Sequence, residues 1–200
     1  PRLITQIKAK YPNLNLLFQV DTALKLYERL SDHRIDLVLA TPGRHHLAFE
    51  RIPLTDLELA WMASPGLVSG ERLSLQDVAS HTLLAQVNSS GMQVMVEQLL
   101  HDNDAKARNI VACNSMSALG ELAAAGLGIA CLPRAYFEPK IRSGALRVIE
   151  SDPPIPKLPY VAAFREDAAE LSGDIAAMAV EVCNFDHPRL NMRKARLPGS

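Results

Sequence analysis

The chain has 200 residues, 48% hydrophobic and 22% charged, and 21 basic against 22 acidic side chains leave a formal net charge of −1. These values exclude a disordered chain and the basic footprint of a nucleic-acid binder, and no apolar run approaches the ~20 residues that span a bilayer. Three well-separated cysteines (Cys113, Cys131, Cys183) have no C-x-x-C spacing and read as reduced, buried thiols of a cytosolic protein. A chain opening on proline, without a leader, is expected to be a fragment or a processed product.

Leu3, Ile4, Ile7 and Tyr11 space an amphipathic helix closed by Pro12-Asn13. LNLLFQV (14–20) predicts a strand, and Asp21-Thr22 are N-cap candidates for a helix over about 23–31. IDLVLA (35–40) predicts a second strand, whose continuous apolar run suits a parallel sheet covered on both faces. Residues 42–58 are polar and show no long period. LELAWMA (57–63) is a strand broken by Ser64-Pro65-Gly66, a plausible lobe boundary. Ser74 opens a short helix with an acidic residue at its third position, and TLLAQV (82–87) is a strand. Ser90 and Gln93 have capping-box spacing for a helix to about Leu100. Strands follow at 109–113, 129–132, around 144–148 and at 160–164, with helices over 117–125 and 167–184. The order is α/β, in two lobes whose connections cross near 59–65 and 158–164. The boundaries expected are 1–61 with 159–187 for lobe I, 62–158 for lobe II, and a tail at 188–200.

Polar residues recur where strands end: Asp21-Thr22, Thr41, Asn88-Ser89-Ser90 and Asn114-Ser115. In open α/β sheets ligands bind at that edge, and helix N-termini there offer free N–H groups and partial positive charge. Such a set suits a small anion, an organic acid or similar, without any lysine. N-capping by itself accounts for each group taken singly; it is the convergence of several on one cleft that points to a ligand. No catalytic set, cofactor loop or metal site is expected. His45-His46 has no second ligand pair, and no G-x-S-x-G elbow is present.

Gly126-Leu127-Gly128 superficially suggests a phosphate-binding loop. In a dinucleotide fingerprint the helix follows the glycines; here SALGELAAA (117–125) precedes them and a strand follows, so they are expected to stop a helix. AAAGLGIACLP resembles the "aG.Gia.lP" signature of the effector-binding domain of LysR-type transcriptional regulators. PRLITQIKAKYPNLNLLF, ERLSDHRIDLVLA, SLQDVASHTLL and SGALRVI are similar to further pieces of that family in the same order, covering nearly the whole chain.

The resemblance implies two Rossmann-like lobes in a periplasmic-binding-protein-like (type 2) fold, with a small-molecule effector in the cleft between them. The matching effector positions are Thr22, Ala23, Thr41, Asn88, Ser89, Ser90, Asn114 and Ser115. Many relatives carry a hydroxyl residue where this chain has Ala23, and Thr22 is the candidate substitute. The resemblance also implies a homodimer or homotetramer, with the first helix and residues 14–20 facing a partner's second lobe. DNA would be bound only through a winged helix-turn-helix that this chain lacks. The family's first core strand is also missing and is expected in the native protein. A solute-binding protein of an ABC transporter is the alternative, and an enzyme of the same architecture a third.

Overall fold

The computed structural model describes residues 2–42, 49–87 and 90–183. They divide into two compact units, one from 2–57, 90–94 and 158–183, the other from 58–87 and 95–157. His45, His46, Asn88, Ser89, His187 and the 188–200 tail lie outside the described residues.

In the first unit, helices α1 (Arg2–Lys10) and α2 (Ala23–Ser31) are followed by strands β1 (Leu37–Ala40) and β2 (Glu50–Leu57). The chain returns later as β9 (Leu158–Phe164) and α7 (Ala169–Val182). β1 and β2 both pair antiparallel with β9, in the order β1-β9-β2. Strand alternation then sorts the core. Val38 and Ala40 pack with Tyr27 and Leu30 of α2, while Leu37 packs on the other face with Ala176 of α7. Arg165 ties the layers, donating from Nη1 to the carbonyls of Leu30 and Ile35 at 3.0 Å each.

Three expectations change here. Residues 14–20 form no strand; they lie unpaired, with Leu17 85% and Val20 99% exposed. A ladder needs a neighbour, and no described strand lies beside them. Among the described residues β1 pairs only with the antiparallel β9, so there the apolar run at 35–40 does not sit in a parallel sheet. Residues 50–57 form a strand, although residues 42–58 are polar and show no long period. Among the described residues β2 pairs only with β9, so as an edge strand it tolerates Pro53, and the register shifts between Pro53 and Thr55.

The second unit carries a mixed six-stranded sheet. In chain order its elements are β3 (Leu59–Ala63), β4 (Arg72–Ser74), α3 (Leu75–Ser80), β5 (Thr82–Gln86), β6 (Asn109–Cys113), α5 (Met116–Ala124), β7 (Ile129–Pro133), α6 (Arg134–Arg142) and β8 (Arg147–Asp152). The sheet order is β4-β8-β3-β7-β5-β6. α4 (Gly91–Asp102) enters this unit after its first turn. Every residue of β3 is buried: β7 and β8 pair with its two edges, and Ala60 and Met62 pack with Leu119 and Ala123 of α5 and Phe137 of α6. Ser74 and Asp77 close a reciprocal capping box on α3. α6 is not apparent in the sequence, since Pro139 lies inside it; Phe137 anchors it against Gly120 of α5.

The glycines at 126 and 128 act as expected. Gly126 ends α5 at φ +80°, a conformation that side chains disfavour. A Cβ at Gly128 would meet the Thr82 carbonyl carbon at 3.1 Å, so only glycine lets β7 start this close to β5.

Candidate functional site

Thr41 directly follows β1, and Ser90 directly precedes α4. The fold brings these two sequence-predicted positions together. A Cβ added to Gly91 would lie 2.9 Å from Thr41 Cβ and 3.0 Å from its Cγ2, so the α4 N-terminus abuts the threonine without a spacer. Thr41 is 8% exposed and shares that burial with only two other polar residues among those described, Ser151 and Ser172. Both of those serines donate to backbone carbonyls, of Pro153 at 2.7 Å and Asp36 at 3.3 Å.

Ser90 caps the N-terminus of α4. Ser90 Oγ accepts from Gln93 N at 3.0 Å, and the Ser90 carbonyl accepts from Val94 N at 3.1 Å. The amides of Gly91 and Met92 precede the first intrahelical bond. The helix dipole places partial positive charge there, beside the Thr41 hydroxyl. This combination can hold the oxygen of a small anion.

The α2 N-terminus differs. Thr22 is its N-cap but makes no side-chain cap bond, and half-buried Ala23 begins the helix. Asp21 already fills this end. Its carboxylate accepts from Thr22 N at 2.9 Å and pairs with Arg29 at 2.8 Å and Lys25 at 3.6 Å. The Thr22 amide, then Lys25 and Arg29, hold the Asp21 carboxyl below the usual carboxylate range. A resident negative charge makes this end a poorer anion site than α4.

Asn114 and Ser115 belong to the second unit and are exposed. Ser115 caps α5, its Oγ accepting from Ala118 N at 3.3 Å, and its own amide donates to Cys113 Sγ at 3.4 Å. Here the capping role expected of such residues is fulfilled. Among the described residues no group of histidine, cysteine, aspartate or glutamate could hold a metal ion.

Gly91 does not stand out in the sequence as a site residue, where it is only the glycine of an incomplete elbow motif. The available signal is its place as first residue after a capping serine, where a side chain would block the approach of another strand end.

The sequence profile of the LysR substrate binding domain matches residues 1–177. The chain belongs to the LysR substrate-binding-domain family. It is 25% identical over 134 residues to the HTH-type transcriptional activator CmpR of Synechocystis sp., covering 66% of this chain and 44% of CmpR. It is also 25% identical over 155 residues to the HTH-type transcriptional regulator BsdA of Bacillus subtilis, covering 75% of this chain and 53% of BsdA. The chain thus spans about half the length of the curated relatives it matches.

Solved structures agree on the fold. The Synechocystis CcmR regulatory domain in complex with 2-PG superposes with a TM-score of 0.79 at 18% identity, covering 91% of this chain and 89% of that one. The effector-binding domain of QuiR in complex with shikimate gives 0.75 at 16% identity, covering 90% and 87%. The architecture is therefore the periplasmic-binding-protein-like type 2 fold of LysR regulatory domains. The alternative of a transporter's solute-binding protein is not favoured.

Proposed function

We propose that this chain is the effector-sensing part of a LysR-type transcriptional regulator, and that it holds a small organic-acid-like anion against Thr41 and the N-terminus of α4. One observation carries the reading: Thr41, only 8% exposed, abuts the N-terminal end of α4, where the first backbone amides of a helix lie outside its internal hydrogen bonds. Family membership supports the sensing role. The anionic character is supported by the helix dipole and by QuiR, whose ligand shikimate is a carboxylate.

Thr22, Ala23, Asn88, Ser89, Ser90, Asn114 and Ser115 complete the proposed contact set. Binding would shift a conformational equilibrium and, through a homodimer or homotetramer, alter how DNA-binding segments outside residues 1–200 meet their operator. The self-association surface would be α1 and residues 14–20, which expose Ile4 and Val20. The reading places the protein in the cytoplasm and gives it no catalytic role. No helix among the described residues is long and apolar enough to cross a membrane.

Thermal-shift screening of organic acids tests the proposal. A ligand at 100 times its dissociation constant stabilises by about 2.7 kcal/mol, which for a chain of this size raises Tm by roughly 5–10 °C. Thr41→Val keeps the shape and removes the hydroxyl, and should abolish most of that shift. Stabilisation by cationic or wholly apolar compounds alone would sink the anion reading.

A further inference from the structure

Three neighbouring parallel strands of the second unit, β7, β5 and β6, end on one edge of its sheet, and the chain leaves each of them for a helix: α6, α4 and α5. The first turns of α4 (Gly91-Met92-Gln93-Val94) and α5 (Met116-Ser117-Ala118-Leu119) carry no charged side chain, whereas α6 opens on Arg134. Ligands of α/β sheets bind beyond the carboxyl ends of the strands, so Arg134 puts a permanent cation on the edge where an anion would be held. Its guanidinium is planar and meets a carboxylate with a fork of donors.

Strand register fixes how near Arg134 lies to α4. Leu83 is level with Ile129 and Leu84 with Ala130, and the same offset carried along the strands sets Val87 beside Pro133. Neighbouring strands lie about 4.8 Å apart. Arg134 therefore starts roughly one strand spacing from the place where the chain turns towards α4, which is less than the reach of an arginine side chain. On the other side of β7, Leu59 is level with Pro133, and the Arg134 amide donates to the Glu58 carbonyl at 3.0 Å. The side chain follows the same direction, Nη1 meeting Glu58 Oε1 at 3.4 Å, with the two side chains 48% and 58% exposed. A long contact between two exposed groups binds weakly, so Glu58 parks the guanidinium without committing it.

We infer that Arg134 is the cationic contact of the effector and exchanges Glu58 for the effector's carboxylate on binding, an inference that rests on the anion reading of the α4 end and adds a residue to it. The effector then needs a full negative charge near α4, because a neutral polar group does not displace a carboxylate from an arginine. Two carboxylates compete for one guanidinium, so the members of the pair act in opposite directions. Arg134 favours binding and Glu58 opposes it.

Thermal-shift titrations with benzoate, shikimate, succinate and inorganic phosphate test this on the wild-type protein, Arg134→Gln, Arg134→Lys and Glu58→Gln. For an anion that stabilises the wild type, Arg134→Gln weakens binding by roughly tenfold or more, the scale of hydrogen bonds to a charged group. Arg134→Lys recovers part of the loss, since it keeps the charge but not the fork. Glu58→Gln tightens binding by up to about fivefold, the scale of the exposed pair it removes. Equal affinity in wild type and Arg134→Gln overturns the inference, and the anion reading still stands there if Thr41→Val weakens binding. Weakening by Arg134→Gln and Glu58→Gln alike also overturns it, because a pair that only supports the fold loses the same thing from either side. If none of the four anions stabilises any of these proteins, the anion reading falls and takes the role of Arg134 with it.

Discussion

Lys10 and Asp174 meet at 2.7 Å, with the Tyr11 hydroxyl donating to the same carboxylate at 2.8 Å, and this clasp holds α1 to α7. Hydrogen bonds from Lys10 and then Tyr11 hold the Asp174 carboxyl below its ordinary value of 3.8. The hydrogen bond to Asp174 raises Lys10 above 10.5 and Tyr11 above 10.0. The depressed acid contributes stability above its unfolded pKa and loses it as pH falls through the folded one. The raised base contributes below its unfolded pKa and loses it as pH rises through the folded one. Asp174→Asn should therefore lower Tm by a constant amount between about pH 5 and 9, with the gap closing at both extremes. A gap that is the same at pH 2 as at pH 7 would show the clasp to be electrostatically idle.

Gly91→Ala forces a methyl group against Thr41. Overpacking of this kind costs about 1–3 kcal/mol, read as a lower urea midpoint at unchanged slope. Adding Thr41→Ala removes the threonine Cγ2 and hydroxyl from that contact, so the double variant should recover part of the loss. Strict additivity of the two substitutions would show that positions 41 and 91 do not touch.

Arg165 is 14% exposed in its side chain and donates to two carbonyls that end α2 and lead into β1. Arg165→Met keeps the stem and removes the donors, and should cost roughly 2–3 kcal/mol in urea unfolding, in the range of hydrogen bonds to charged groups. Arg165→Lys should recover little, because one ammonium lacks the guanidinium's fork of donors.

Burial pushes the Cys131 thiol up to about 12, and that residue is 7% exposed. Cys113 is half-buried at the end of β6. A thiol-directed reagent at pH 8 should therefore label Cys113 first and reach Cys131 only on unfolding. Mass mapping after partial labelling reads the order directly, and early labelling of Cys131 would contradict the packing of β7.

Where a local pattern carries its own explanation, the sequence reads correctly. The 23–31 helix, the Ser74 and Ser90 caps, and the helix exit at Gly126 each follow from residues within a few positions of one another. β2 is hidden because residues 42–58 are polar and show no long period; an edge strand buries little of itself, and which strands are edges is a tertiary fact. α6 is hidden for a similar reason: Phe137 packing on Gly120 offsets the cost of Pro139.

By itself the sequence determined the α/β order, the family, and the polar residues at the strand ends, since these depend on periodicity, capping chemistry and motif order. Only the tertiary structure decided which of those ends already holds a charge and which abuts another strand end. Asp21 fills the α2 terminus through contacts with Lys25 and Arg29 on its own helix, whereas Thr41 meets Gly91 across some fifty residues of chain, a closeness that packing alone creates. The structure likewise decided the fate of 14–20. Its alternating apolar residues carry the preference for a strand, but a strand exists only beside a partner that completes its hydrogen bonds.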